Sequence, residues 1–263
     1  MKLSIITVNL NNADGLKKTI ESVVMQTFSD YEYIIIDGGS TDGSVEIIKQ
    51  YADKITYWVS EPDKGIYNAM NKGILQAKGE YCYFLNSGDW FIDKDGLEKL
   101  FGMNPDADII YMNIEKKIGE NKYIVKYSSY ITLFTFFIGG ICHQAHFIKK
   151  ILFNILGDYN EKYSTIADWE FLIRALIINQ RSYKYYDITI THFDTNGISS
   201  SAYPISKQDR EVVLKNYFPM IYDDYSQYKS LYDEINYSRL YRYIKKIKSS
   251  KIYNYLKRIR LII

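Results

Sequence analysis

The 263-residue chain has only two cysteines, Cys82 and Cys142. Two thiols in a chain of this size do not make a disulfide scaffold, and they read as small buried thiols of a reducing compartment rather than as a bridge. Long apolar runs are missing as well. The longest, residues 133–141, is interrupted by Thr135 and by the Gly139–Gly140 pair, well short of the roughly 18–20 residues that span a bilayer. The amino terminus has one lysine ahead of a short strand-like run and no cleavage-site pattern, which argues against a signal peptide. Histidine is scarce too: His143 and His146 stand beside Cys142, but no second Cys-x-x-Cys or His-x-x-x-His partner exists, which argues against zinc. Finally, the first apolar run is not followed by the Gly-x-Gly-x-x-Gly of a dinucleotide site. Asn9, Asn11 and Asn12 stand there instead.

What the chain does have is an uneven charge distribution beneath a formal net charge of +2. Residues 235–263 hold nine Lys or Arg and no Asp or Glu, which leaves 24 basic against 31 acidic side chains in the first 234 residues. An acidic body thus carries a basic tail. In that tail Leu240, Ile244 and Ile247, and again Ile252, Leu256 and Ile259, recur at helical spacing among the cations. The pattern suits an amphipathic helix on an anionic membrane surface, and equally a solvated helix docked on the body. Nucleic acid is not expected as a partner, because the acidic body opposes wrapping and no recognition motif is present.

Along the chain, apolar strand-like runs alternate with helical periodicity. Residues 2–8, 33–36, 55–59 and 81–85 read as strands; residues 15–26, 44–51 and 66–77 read as helices. Such alternation predicts parallel βαβ units and an α/β fold. Residues 93–101 read as a short helix, 107–113 and 183–190 as strands, and a helix starts at Ile166.

Polar residues gather where the strands end, which is where open α/β sheets bind ligands. Strand four runs into Asn86-Ser87-Gly88-Asp89, a carboxylate turn suited to a ligand or a metal and equally to a plain Asx-type turn. Strand two ends at Asp37 in a Gly- and Ser-rich loop that could meet ribose or a base. Ser60 to Gly65 contributes Asp63 and Lys64. His143-Gln144 emerges from an aromatic run and reads either as polar site residues or as satisfied core side chains. Asp168, beside Trp169, sits at the start of a helix, where an acid is either a cap or first-turn charge or a general base.

Several of these segments together carry a family resemblance: Thr-Val-Asn-Leu-Asn-Asn, Ile-Ile-Ile-Asp-Gly-Gly-Ser-Thr-Asp-Gly, Glu-Pro-Asp-Lys-Gly-Ile-Tyr-Asn-Ala-Met-Asn-Lys-Gly and Phe-Leu-Asn-Ser-Gly-Asp. In this order they resemble family 2 glycosyltransferases of the GT-A fold, and most of all the bacterial branch that assembles capsule, exopolysaccharide or O-antigen. The resemblance implies nucleotide contacts from Thr7, Val8, Asn9, Asp37, Asp63, Lys64, Ser87 and Gly88. The family's Asp-x-Asp metal motif corresponds to Ser87-Gly88-Asp89, so its first acid is missing and Asp89 is kept. His192 is a further metal candidate, with Asp194 and Ser199 behind it. His143, Gln144 and Trp169 fall on the acceptor side, and Asp168 on the catalytic base.

The expectation is therefore a mixed, mostly parallel GT-A sheet in residues 1–220, with a nucleotide half (1–100), an acceptor half (101–220) and a Tyr-rich basic segment (221–263). The implied activity is Mn²⁺- or Mg²⁺-dependent, inverting transfer of a hexosyl or hexosaminyl group from a nucleotide-diphosphate sugar, UDP favoured, to a glycan or lipid-linked acceptor. The place is cytoplasmic, peripheral on the inner membrane face if the tail binds lipid. The competing expectations are a nucleotide-sugar-binding protein without transfer activity and a membrane-surface interaction module.

Overall fold

In the computed structural model, residues 1–118, 121–194 and 203–238 are described. β1 (Leu3–Asn9) is buried along its entire length, as are all but the first residue of β2 (Tyr31–Asp37) and all of β4 (Tyr81–Phe84). Near-continuous β-branched and aromatic runs are what a parallel sheet covered on both faces requires. Because alternate residues of a strand face opposite ways, Leu3, Ile5, Tyr33 and Ile35 share one core with Leu16 and Ile20 of α1 (Ala13–Val24). On the opposite face α3 (Ile66–Gln76) lies so close to β1 that a Cβ on Gly73 would stand 2.5 Å from Ile6 Cγ2. Each Leu or Ile so buried stabilises the fold by roughly 1.5–3 kcal/mol, which anchors β1 up to the polar residues at its end.

Among the described residues the sheet has nine strands in the order β3-β2-β1-β4-β8-β6-β9-β5, with β7 paired to β6. β3 (Tyr57–Ser60), β2, β1 and β4 run parallel. The chain steps outward from β1 through β2 to β3, with α2 (Ser44–Gln50) between the last two, and then returns to the other side of β1 as β4. The carboxyl ends of β1 and β4 thus flank the topological switch point, where an open sheet leaves a crevice.

The second half departs from the sequence expectation. β8 (His146–Lys149) is an unexpected strand, antiparallel to both β4 and β6. β6 (Ile109–Ile118) runs five residues beyond the expected end, because its charged residues Glu115, Lys116 and Lys117 are paired on β7 (Asn121–Val125). β9 (Tyr183–Phe193) runs parallel to β6 across a register shift near Asn113. The two-residue β5 (Trp90–Phe91) pairs antiparallel with the end of β9, Trp90 opposite His192, and this pairing brings Asp89 next to Asp194. The short helix expected over 93–101 forms only as α4 (Gly96–Phe101), and two further short helices, α5 (Leu133–Phe137) and α6 (Ile151–Leu156), follow.

α7 (Ala167–Leu172) has Ile166 at its N-cap position, so Asp168 is a first-turn acid and not the cap. The helix continues as a π-helical turn, Ile173–Ile178. α8 (Tyr203–Tyr217) and α9 (Tyr222–Tyr237) follow. The chain forms two compact units, Met1–Val213 and Leu214–Ile263. The amphipathic pattern of 239–263 lies outside the described residues, as does Ser199. Both cysteines are free thiols, and burial pushes Cys82 up to about 12.

Candidate active site

A cavity of about 540 Å³ opens at the switch point. Its walls come from Val8 to Asn12 after β1, Gly38 after β2, Asp63, Gly65, Ile66 and Ala69 at the start of α3, Asn86, Ser87 and Asp89 after β4, His143 and Gln144, and Phe193 and Asp194 after β9. The loops thus bring together segments from nearly the full length of the first unit.

The Asn86–Asp89 turn is stapled from α1. Thr19 Oγ1 donates to the Asp89 carbonyl at 2.7 Å and accepts from Gly88 N–H at 3.0 Å. Gly88 has φ +102, a left-handed conformation that favours glycine, and a Cβ there would stand 3.1 Å from Asp194 Oδ2. The turn delivers Asp89, 4% exposed, with both carboxylate oxygens occupied: Oδ1 accepts from Asp194 N–H at 2.8 Å and Oδ2 from Gln144 Nε2 at 3.0 Å. Burial raises this acid to about 6, against the opposing pull of His143 and these two donors.

Asp37 is different. Its side chain is wholly buried and saturated by Asn9 Nδ2 (2.7 Å), Ser40 Oγ (2.6 Å), Ser40 N–H (2.9 Å) and Ser60 Oγ (2.6 Å). Burial would raise it, but these hydrogen bonds outweigh burial and hold it below the ordinary carboxylate range. Asp37 therefore organises Asn9 and the Ser40 loop, and it is Asn9 and Gly38 that line the cavity. Thr7 likewise points inward, donating to the Leu85 carbonyl at 2.7 Å. Asp63 lines the cavity and is held by Lys72 Nζ at 2.6 Å, whereas Lys64 is exposed outside it.

At the other end, Asp168 Oδ1 accepts the Tyr67 hydroxyl at 2.6 Å, and Asp168 Oδ2 lies 3.4 Å from His143 Nδ1. Burial alone would raise Asp168; the His143 and Tyr67 contacts reverse this and bring it down to about 2. Trp169 is 2% exposed, packed edge-on against Phe136 and under the Arg210 guanidinium, so it supports the wall from behind. His192 is also buried away from the cavity. Its ring stacks on Trp90 at 3.7 Å, Nδ1 meets Glu115 Oε1 at 2.7 Å, and Lys18 Nζ covers the other face of Trp90 at 3.0 Å.

Of the residues singled out in the sequence, Val8, Asn9, Asp63, Ser87, Asp89, His143, Gln144 and Asp194 converge on the cavity, and Thr7, Asp37, Lys64, Gly88, Asp168, Trp169 and His192 do not line it, Asp168 reaching it only through His143. Tyr67 and Asn86 had not been singled out as site residues. Asn86 sat in the recognised turn, but nothing local marks Tyr67, whose partner is 101 residues away.

Among the described residues, no group of three or more His, Cys, Asp and Glu is arranged to hold a metal. The cavity nevertheless presents Asp63, Asp89 and Asp194 and no Lys or Arg among its lining residues. Asp89 and Asp194 would offer a hard divalent cation the oxygen donors that such ions take.

Residues 4–167 match the family described as Glycosyl transferase family 2. The chain belongs to that family. An uncharacterized glycosyltransferase of Mycobacterium tuberculosis is 33% identical over 213 residues, covering 77% of this chain and 78% of its own. A PGL/p-HBAD biosynthesis glycosyltransferase of Mycobacterium bovis is 30% identical over 200 residues, covering 74% and 77%. Among solved structures, S. aureus TarS 1-349 in complex with UDP superposes with a TM-score of 0.66 at 18% identity, covering 91% of this chain and 73% of that one. The mannosyltransferase PcManGT of Pyrobaculum calidifontis, in complex with GDP-Man and Mn²⁺, gives 0.59 at 13% identity, covering 78% and 60%. The fold is GT-A, and this family 2 chain is a glycosyltransferase.

Proposed function

We propose that this glycosyltransferase is metal-dependent and inverting, and that it moves a hexosyl or hexosaminyl group from a UDP-sugar to a glycan or lipid-linked acceptor in cell-surface polysaccharide synthesis of the capsule, exopolysaccharide or O-antigen kind. The observation that carries the donor side is the charge of the cavity: three carboxylates line it, one of them (Asp63) ion-paired with Lys72 behind the wall, and no lysine or arginine does. A diphosphate entering that wall meets strong repulsion in a weakly screened site unless a cation intervenes. Asp89 and Asp194 would hold Mn²⁺ or Mg²⁺, which neutralises charge developing on the leaving diphosphate. The likeness to TarS, solved with UDP and with UDP-GlcNAc, supports a uridine donor.

In this reading the β1 and β4 loops take the nucleotide. Val8, Asn9, Asp63 and Ser87 meet it directly, and Asp37, Thr7 and Gly88 shape the loops that present them. Lys64, exposed beside Asp63, would approach phosphate from outside the cavity. Asp168 takes the proton of the acceptor hydroxyl, whose own pKa lies far above neutral. Attack from that side, opposite the leaving group, inverts the anomeric carbon.

The test is turnover of a panel of UDP- and GDP-sugars with glycan and lipid-linked acceptors, with Mn²⁺, with Mg²⁺ and with chelator. A UDP-sugar is expected to be consumed only with cation present, giving a product of inverted anomeric configuration. Equal rates in excess chelator would rule out the metal, and a retained configuration would rule out the single displacement.

Among the described residues no helix is long and apolar enough to cross a membrane. A lipid-linked acceptor and the nine cations of residues 235–263 support a site of action at an anionic membrane surface. The chain is then expected to co-sediment with phosphatidylglycerol vesicles at low salt and to lose this on removal of residues 239–263; equal sedimentation by the truncated chain would exclude the tail as the anchor.

A further inference from the structure

Two side chains from distant parts of the chain meet at the Asp168 carboxylate, and one of them leads on to the Asp89 turn. Tyr67, in the first turn of α3, engages Oδ1, and His143 Nδ1 faces Oδ2. The other imidazole nitrogen, Nε2, lies 3.0 Å from Asn86 Nδ2. The carboxylate facing Nδ1 calls for a proton there, and Nε2 of a neutral ring then accepts from the Asn86 amide. The opposite tautomer would set a bare Nδ1 lone pair against a carboxylate, which is repulsive. Gln144, the next residue, donates to Asp89 Oδ2, and its carbonyl accepts the Tyr83 hydroxyl at 2.8 Å. One dipeptide therefore touches both acids, and it lines the cavity where Asp168 does not.

We propose that His143 is a positioning residue of the transfer reaction: anchored on Asn86 of the Asp89 turn, it fixes the Asp168 carboxylate at a set place relative to that turn, with Tyr67 holding the other oxygen. The proposal rests on Asp168 being the base. Its physical content is distance. A single displacement needs the base and the leaving group on opposite sides of one carbon, and a misplacement of about 1 Å can cost about 100-fold in rate. An acid on the first turn of a helix has side-chain torsions free to swing unless donors hold it, and here the donors come from α3 and from the dipeptide beside β4. The titratable groups around Asp168 are Tyr67 on α3, His143 on the turn into β8, His146 at the start of β8, and Tyr159 on the segment before α7. Of these, Tyr67 and His143 make the direct contacts.

Two substitutions separate the two ends of the imidazole. His143→Gln reaches Asn86 and gives up the donor to Asp168; His143→Asn keeps a donor near the Nδ1 position and gives up Asn86. With the full chain, saturating UDP-sugar and cation, His143→Gln is expected to lower kcat by about 10- to 100-fold at unchanged donor KM. The acid limb of its pH–rate profile should move upward as Asp168 loses a donor. His143→Asn should recover part of the loss. Independently of turnover, ¹⁵N spectra of the wild type, with His143 assigned by its absence in the Gln variant, should place the proton on Nδ1. A ring protonated on Nε2 alone overturns the proposal, as does a His143→Gln enzyme with wild-type kcat. So do equal losses in both variants that track a lowered Tm with an unmoved pH profile, which would make His143 merely structural. Wild-type turnover retained by Asp168→Asn is a separate result and removes the base assignment beneath it.

Discussion

Asp168→Asn is expected to lower kcat by about 1,000-fold, the middle of the range for loss of a general base, while leaving UDP binding within about twofold of wild type. The asymmetry follows from the geometry. The residues proposed to face the nucleotide come from the ends of β1 and β4, whereas Asp168 sits on α7 against Tyr67 and His143, so the substitution is expected to act on the acceptor step and to leave the donor contacts in place. Isothermal titration with UDP and cation, beside steady-state rates, separates the two. A variant keeping more than a tenth of wild-type kcat would show that Asp168 is not the base.

The same substitution carries a stability signature whose sign is set by the depressed pKa. The folded-state value, about 2, lies below the ordinary carboxylate value near 3.8, so the ionised acid contributes stability that is fully present above about pH 4. That contribution fades as pH falls through 2. Wild type should therefore unfold at a higher temperature than Asp168→Asn at pH 7, and the gap should close between pH 4 and pH 2. Thermal melts across that window check it. Because the activity loss persists at temperatures where both proteins are folded, unfolding cannot account for it.

How much of this was legible in the chain depends on which half is considered. β1, β2 and β4 are buried on both faces, so their sequences are near-continuous apolar runs, broken inside only by Ser4, Thr7 and Glu32, and the polar turns after them stand out by contrast. β8 has only His-Phe-Ile-Lys, four residues with polar ends, and its place between β4 and β6 is decided by pairing rather than by local pattern. The outer end of β6 carries Glu115, Lys116 and Lys117, which read as surface until β7 is set against them. Among the cavity residues, Asn9, Asp63 and Asp89 stand out because each follows a recognisable strand, whereas His143 and Gln144, ahead of the unreadable β8, are marked only by the family resemblance. What the chain did not convey is the direction of a side chain at a strand end. Thr7 and Asp37 have the right chemistry for a ligand and spend it inside the protein. The Tyr67–Asp168 hydrogen bond links residues 101 apart and leaves no periodic trace at all.

Asp89→Asn is expected to abolish cation-dependent transfer and, with chelator present, to make the protein more stable at pH 8. Burial lifts the folded-state pKa of Asp89 to about 6, well above its unfolded value near 3.8. With that sign, the stability this acid contributes is fully present below about pH 4, where it is protonated in both states, and is lost as pH rises through 6. At pH 8 the folded protein thus carries a charge it would rather not hold, at a cost on the order of 3 kcal/mol for a shift of about two units. Asparagine removes the charge and keeps an oxygen for either the Asp194 N–H or the Gln144 amide. Its own NH₂ must then face the remaining donor, which gives back part of the gain. A net rise of a few degrees in Tm is expected, at about 2–4 °C per kcal/mol for a domain of this size, and no rise at pH 4. Added Mn²⁺ should raise the Tm of the wild type and not of the variant, because a ligand stabilises only the state that binds it. Equal melting temperatures at pH 8 in chelator would mean that Asp89 is not strained by its burial. A variant stabilised by Mn²⁺ as much as the wild type would place the cation elsewhere. The two outcomes are independent, and together they ask whether the acid that destabilises the empty fold is the one kept for the metal.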